Sequence, residues 1–119
     1  MPVKAVLVLV TAGSRDEAER LGEGVVESRL AACASVIPVV HSFYRWEGRL
    51  QREHEALLLI KTVAEKADAA MAFVREHHSY ELPEILRVNV DGGLAAYLDW
   101  MQGDVSAGEG TGESAPAGG

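Results

Sequence analysis

Hydrophobic and polar residues follow two different periods along the chain, and the period-2 segments predict three strands before the last third. Residues 5–10 (AVLVLV) are apolar on both alternating faces, which is typical of a strand buried on both sides. Residues 34–46 are rich in β-branched and aromatic residues and predict a longer strand, in which Pro38 indicates a bulge or bend. Residues 50–61 predict a returning strand that is polar in its first half and apolar in its second, so the pair forms a hairpin with a buried base.

Two further segments have apolar residues at helical spacing, and each follows a capping-box pattern. Ser14 and Glu17 form the pattern S-x-x-E and predict the start of a helix over residues 15–29. A second such pattern begins at Thr62 and predicts a helix over residues 63–77.

The predicted order of elements is βαββαβ, followed by a short helix at residues 94–101. In the last strand, residues 85–90, Leu86 and Val88 are predicted to point inward. This order favours an α+β ferredoxin-like sandwich, in which helices cover one face of a four-stranded antiparallel sheet. Since both faces of the first strand are apolar, the bare face is predicted to meet another subunit.

The C-terminal segment differs in composition from the rest. Residues 103–119 consist mainly of Gly, Ser, Ala and Glu, with almost nothing to bury. We therefore expect one folded domain at residues 1–102 and a disordered tail at 103–119.

Composition narrows the choice of partners and compartment. The net charge of −7 makes nucleic acid and anionic membranes poor partners, and no apolar run approaches the length of a membrane span. The start of the chain faintly imitates a signal peptide, but it fits a first strand better. The only cysteine, Cys33, allows no internal disulfide, and we expect a buried, inert thiol in a cytoplasmic protein.

Five short motifs carry a resemblance to a known family. They are LAAC at 30–33, YRWEG at 44–48, LIKT at 59–62, HSYELPE at 78–84 and AYLDW at 96–100. Together they resemble the CutA divalent-ion-tolerance family over residues 3–101. The resemblance implies a compact homotrimer with this fold, similar in architecture to PII signalling proteins and linked to tolerance of copper and other divalent cations.

Two departures from the family pattern affect the expected site. The usual HPYE is HSYE here, and Ser79 in place of proline predicts a less rigid loop after the second helix. Some members bind copper through a cysteine at the end of the first strand, where this chain has Val10. The missing thiolate argues against tight binding of Cu(I).

His77, His78 and Glu84 are the candidate metal ligands, because imidazole and carboxylate suit divalent copper, zinc or nickel. Adjacent helical residues point about 100° apart, so a complete site needs groups from a second subunit or a folded-back Glu84. The alternative is that one histidine packs at the helix end. A weakly bound divalent cation is the only cofactor that these residues predict.

A second set of residues resembles the cleft residues of the family, which lie between trimer subunits. The set comprises Tyr44, Trp46, Glu55, Lys61, Tyr80 and Trp100, with Glu84 adjoining it. Such residues suit a small polar ligand, but Trp and Tyr are equally typical of packing at subunit contacts. We expect Lys61 and Glu55 to form an ion pair. His41 and His54, on the hairpin strands, are predicted to be exposed or to pack at an interface.

Three functions follow from these residues. The first is a non-enzymatic trimer that weakly binds copper or other divalent cations. The alternative is a PII-like signalling module with a small ligand in its intersubunit clefts and an unidentified protein partner. An enzyme using Lys61 and Glu84 ranks below both, since no nucleophile-elbow or Ser–His–Asp pattern is present.

Overall fold

The computed structural model describes residues 2–107, which form three helices and one four-stranded sheet. In chain order, the elements are β1 (Ala5–Ala12), α1 (Arg15–Glu27), β2 (Cys33–Trp46), β3 (Arg49–Val63), α2 (Ala64–His77), β4 (Ile85–Asn89) and α3 (Ala95–Ala107). The strand order is β2-β3-β1-β4, and every neighbouring pair is antiparallel. The predicted ferredoxin-like α+β architecture is therefore confirmed.

The central strand β1 separates two apolar faces. Val6, Val8 and Val10 are buried in the main core, together with residues of α1 and α2. Leu7 and Leu9 point to the opposite face of the sheet and are only partly buried. Helices α1 and α2 thus cover one face, whereas α3 covers only one end of the other.

The apolar side chains of the edge strand β4 do not point toward α1 and α2, so the predicted inward direction of Leu86 and Val88 is wrong. Leu86 and Val88 lie opposite Leu9 and Leu7 of β1, so they share the face that points away from α1 and α2 and are 55% and 41% exposed. Arg87 points to the helix side, where its Nη1 lies 3.5 Å from the Asp68 carboxylate of α2. The alternation was predicted correctly, but not which face carries the helices.

Strands β2 and β3 form a long hairpin that continues beyond the sheet. The register shifts between Ile37 and Val40, which places a bulge at Pro38 as the sequence predicted. At the tip, Glu47 and Gly48 both have positive φ, 52° and 76°, as a two-residue type I′ turn requires. The hairpin gives the molecule its long dimension of 49 Å.

The two predicted capping boxes have different outcomes. Ser14 caps α1, and its Oγ accepts a hydrogen bond from the Glu17 amide at 3.1 Å. The prediction at Thr62 is wrong, because Val63 is the N-cap of α2 and no side chain caps that helix. The Thr62 hydroxyl is buried and donates to the Leu30 carbonyl at 2.7 Å.

Helix α3 extends the folded domain past the predicted boundary at residue 102. Met101 and Val105 are buried in a second apolar cluster at one end of the sheet. Asp104 forms an ion pair of 2.9 Å with Arg29, just after α1. Residues 103–107 are therefore helical, whereas the rest of the predicted tail, 108–119, lies outside the described residues. No helix in the described part of the chain is long and apolar enough to span a bilayer.

Candidate functional site

A groove of about 1100 Å³ lies between the outer half of the hairpin and the loop that follows α2. Its aromatic lining is Phe43, Tyr44, Trp46 and Tyr80, and its carboxylates are Glu53, Glu55, Glu81 and Glu84. Arg75 is the only basic side chain among the described residues that line it. The groove combines aromatic surface with an excess of negative charge, and both favour cationic ligands.

Glu55 and Tyr80 form the buried polar contact of this groove. Glu55 is 8% exposed, and its Oε2 accepts a hydrogen bond of 3.0 Å from the Tyr80 hydroxyl. Burial and the neighbouring Glu55 carboxylate raise the pKa of Tyr80. Tyr80 therefore remains protonated at neutral pH and acts as a hydrogen-bond donor.

His78 fixes the start of the loop that carries Tyr80. Its Nε2 lies 2.7 Å from the Thr11 carbonyl oxygen, and its Nδ1 accepts from the Tyr80 amide at 3.0 Å. Because a carbonyl only accepts and an amide only donates, these contacts assign the neutral Nε2–H tautomer. The side chain is completely buried, and both ring nitrogens are in use.

Glu17 and Ser79 clamp the same loop to the start of α1. The carboxylate of Glu17 accepts from the Ser79 amide at 2.7 Å, from the Ser79 hydroxyl at 2.9 Å and from the Gly13 amide at 3.3 Å. Burial alone would raise the pKa of Glu17, but these hydrogen bonds hold that pKa below its ordinary value. Ser79 therefore anchors the loop, contrary to the expectation that it lacks restraint without proline.

The groove gathers part of the predicted cleft set. Tyr44, Trp46, Glu55 and Tyr80 all line it, and so does Glu84 from the predicted metal set. Lys61 and Trp100 do not line the groove. An enzyme that uses Lys61 together with Glu84 within one chain is therefore not supported by this arrangement.

Lys61 belongs to a different cluster, on the face of the sheet that carries Leu7, close to α3. Its ammonium donates to the Ser35 hydroxyl at 3.0 Å and lies 3.8 Å from the Cys33 sulfur. The predicted ion pair with Glu55 is wrong, since both residues lie on β3 and the Glu55 carboxylate bonds to Tyr80. Cys33 is partly exposed rather than buried as predicted.

Trp100 packs against the apolar cluster that α3 forms at one end of the sheet. Its ring lies 5.5 Å from that of Tyr97 on α3, measured between centroids. Burial and the Cys33 thiol raise the pKa of Tyr97. Within one chain, the predicted cleft residues are thus divided between the groove and the α3 end of the sheet.

The chain matches the model of one protein family over most of its length. The family described as the CutA1 divalent ion tolerance protein matches residues 6–104. The chain belongs to this family.

Curated CutA proteins match most of the chain. The CutA divalent-cation tolerance protein of Pectobacterium atrosepticum is 38% identical over 97 residues, which cover 82% of this chain and 88% of that protein. The chloroplastic CutA 1 of Oryza sativa is 35% identical over 84% of this chain, but the match spans only 56% of the rice protein. The Pectobacterium name describes tolerance of divalent cations, and neither name describes a catalytic activity.

Solved CutA structures share the fold. CutA from Synechococcus elongatus superposes with a TM-score of 0.83, at 36% identity, over 87% of this chain and 92% of its own. The periplasmic divalent cation tolerance protein CutA from Archaeoglobus fulgidus gives a TM-score of 0.82 at 34% identity, over 85% and 98% of the two chains. Both are CutA proteins, so a PII-like signalling module is not favoured.

A CutA function raises the question of whether these residues fit a divalent cation. No group of three or more His, Cys, Asp or Glu side chains in residues 2–107 is arranged to hold a metal ion. His77 is exposed, and its ring stacks on Phe73, whose carbonyl accepts from Nδ1 at 2.8 Å. His78 is held elsewhere, by Thr11 and Tyr80. A single chain therefore supplies no closed site from His77, His78 and Glu84, and the ligand set stays a prediction.

Sequence reasoning missed the residues that hold the groove in shape. Glu17 was identified only as a helix cap, and Ser79 only as a departure from the family pattern. The signal for Glu17 was its place in a capping box, but its main partner lies 62 residues away. Such a contact follows from the packing of α1 beside the loop and not from local spacing.

Proposed function

We propose that this CutA protein is a non-enzymatic, cytoplasmic homotrimer that weakly binds copper or another divalent cation and thereby contributes to metal tolerance. The observation that carries the proposal is the charge of the groove, where four carboxylates face one guanidinium. An excess of carboxylates raises the local concentration of cations. The family's link to divalent ions supports the same conclusion.

The proposed metal ligands are His77 and Glu84, with the remaining donors supplied by a second subunit. His77 supports this role because it is exposed and its Nδ1 donates to the Phe73 carbonyl, whereas within residues 2–107 no hydrogen bond involves its Nε2. His78 would have to give up the Thr11 carbonyl or the Tyr80 amide to bind metal. Its part in the predicted set is therefore to position the loop.

Native mass spectrometry before and after addition of Cu(II) tests the proposal. We expect a trimer that takes up about one ion per chain at the His77–Glu84 site, the stoichiometry of a site shared between subunits. His77→Ala and Glu84→Gln should each abolish that uptake. Glu27→Gln, which changes an exposed glutamate of α1, is the matched control.

Two results would overturn the proposal. A trimer that takes up no copper would contradict cation binding. Uptake that survives unchanged in both His77→Ala and Glu84→Gln would contradict the ligand assignment.

A further inference from the structure

His41 and His54 form a cross-strand pair on the outer half of the hairpin. They are register partners on β2 and β3, and both are exposed. Their ring centroids lie 4.5 Å apart, with an angle of 73° between the ring planes. From the sequence, these two residues were expected only to be exposed or to pack at an interface.

All four ring nitrogens of this pair are free of protein partners. Within residues 2–107, neither ring takes part in a hydrogen bond or an ion pair, and the two rings contact each other. The other two histidines differ, because His77 and His78 each bond to a backbone carbonyl. Each predicted metal-binding histidine thus has at least one ring nitrogen in a hydrogen bond, whereas both nitrogens of His41 and of His54 are available to a metal ion.

The spacing of the pair suits a shared metal ion. Two imidazoles that bind one ion at about 2.0 Å, with an angle near that of cis square-planar or tetrahedral ligands, have centroids roughly 4.5–5 Å apart. The observed 4.5 Å lies at the square-planar end of this range. The backbone holds the Cβ atoms of directly opposed residues on antiparallel strands about 4.5–5.5 Å apart. The two rings are therefore already close together, and metal binding requires little further ordering of these side chains.

The strand register identifies the neighbours of the pair. Along the hairpin, the next residues on the same face are Phe43 and Arg52, and the Arg52 guanidinium lies over the Phe43 ring at 5.8 Å from its centroid. The groove residues Ser42 and Glu53 are the intervening pair and point to the other face. The histidine pair therefore lies on the opposite face of the hairpin from the groove carboxylates Glu53 and Glu55, and Phe43 borders both the pair and the groove.

We propose that His41 and His54 form a bidentate site for Cu(II), and more weakly for Ni(II) and Zn(II), with water completing the coordination. Neutral imidazole is a good ligand for all three ions. A given site of nitrogen ligands binds Cu(II) more tightly than Ni(II) or Zn(II). The site stands on the geometry of the pair alone. It does not depend on the ligand set proposed for metal tolerance.

Calorimetric titration with Cu(II) near pH 7.5, where imidazole is largely neutral, tests the site. We expect one ion per chain at the pair, retained in His77→Gln and in Glu84→Gln. His41→Gln and His54→Gln should each weaken this binding by at least about tenfold, since loss of even an outer-shell partner costs about 10–100-fold. The double variant should bind little more weakly than either single variant, because one imidazole alone gives no chelate.

The possible results separate this site from the other proposal. Copper binding that is unchanged in both His41→Gln and His54→Gln would overturn the pair, as would loss in only one of them. If copper binding is instead lost in His77→Gln and in Glu84→Gln, the result would support the His77–Glu84 site and contradict the His41–His54 site. Paramagnetic resonance of the wild-type Cu(II) complex gives a test without substitution, in which coupling to two imidazole nitrogens is expected and one or none would contradict the site.

Discussion

At the scale of single residues, Ser79 is the point where this chain departs from its family and where the structure compensates. Its amide and hydroxyl both donate to Glu17, and proline could donate neither bond. His78 has φ −82° and ψ 143°, a conformation that a following proline permits. We therefore expect Ser79→Pro to be compatible with the conformation of His78 and to lower the free energy of unfolding at pH 7 by about 2–3 kcal/mol, because a buried carboxylate loses two of its three donors.

Ser79→Ala is the control for this prediction, since it removes only the hydroxyl and should cost about 1 kcal/mol. Urea unfolding at fixed protein concentration measures both variants. The pKa of Glu17 is lowered in the folded state, so its contribution is present above the ordinary glutamate pKa of about 4.3 and is lost as the pH falls through the lower folded value. The difference between Ser79→Pro and wild type should narrow below about pH 4. Equal stabilities at pH 7 would contradict the clamp.

At the scale of elements, two helical glycines allow the same substitution to be compared in opposite surroundings. A Cβ on Gly24 of α1 would lie 2.5 Å from Cζ of Phe73, whereas a Cβ on Gly103 of α3 would meet nothing within 4 Å. Ala favours a helix over Gly by about 1 kcal/mol. Gly103→Ala should therefore stabilise the protein by about 0.5–1 kcal/mol. Gly24→Ala should destabilise it by about 1 kcal/mol, because the Phe73 ring, stacked on His77, must move.

Thermal unfolding of the two variants at equal concentration measures this difference, since the midpoint of an oligomer depends on concentration. The contrast between the glycines is the decisive quantity. Equal stabilisation by both substitutions would mean that the Phe73 ring moves away freely and that α1 does not require its glycine.

The same scale shows what the sequence could predict. Periodicity identified all seven elements, because strands and helices of this chain follow their apolar patterns closely. It could not say which face of the sheet the helices cover, so Leu86 was assigned inward. Thr62 fitted a capping box, but β3 continues to Val63 and buries the threonine side chain. Contacts distant in sequence, such as Lys61 with Ser35, depend on register, which local patterns do not fix.

At the scale of the whole molecule, the single chain leaves much apolar surface uncovered. Tyr44 and Trp46, on one face of the hairpin, are 42% and 51% exposed, and Leu86 and Val88 add exposed apolar surface on the edge strand. An exposed apolar face of this kind indicates a protein interface. The homotrimer that we propose would cover it, and it would also bring the groove of one chain near groups of another.

Leu86 and Val88 of the edge strand β4 offer a direct test of that assembly, because both are exposed on the face of the sheet that points away from α1 and α2. We expect Leu86→Glu combined with Val88→Glu to dissociate the trimer, since like charges would be buried at an interface on the order of 2,000 Å² or more. Light scattering coupled to size-exclusion chromatography would then give the mass of one chain, whereas wild type gives three. Ala69→Glu, on the exposed side of α2, is the matched control and should remain trimeric. A wild-type monomer at micromolar concentration would contradict the trimer itself, and a trimeric double variant would show that the chains associate through the hairpin and not through the face of β4.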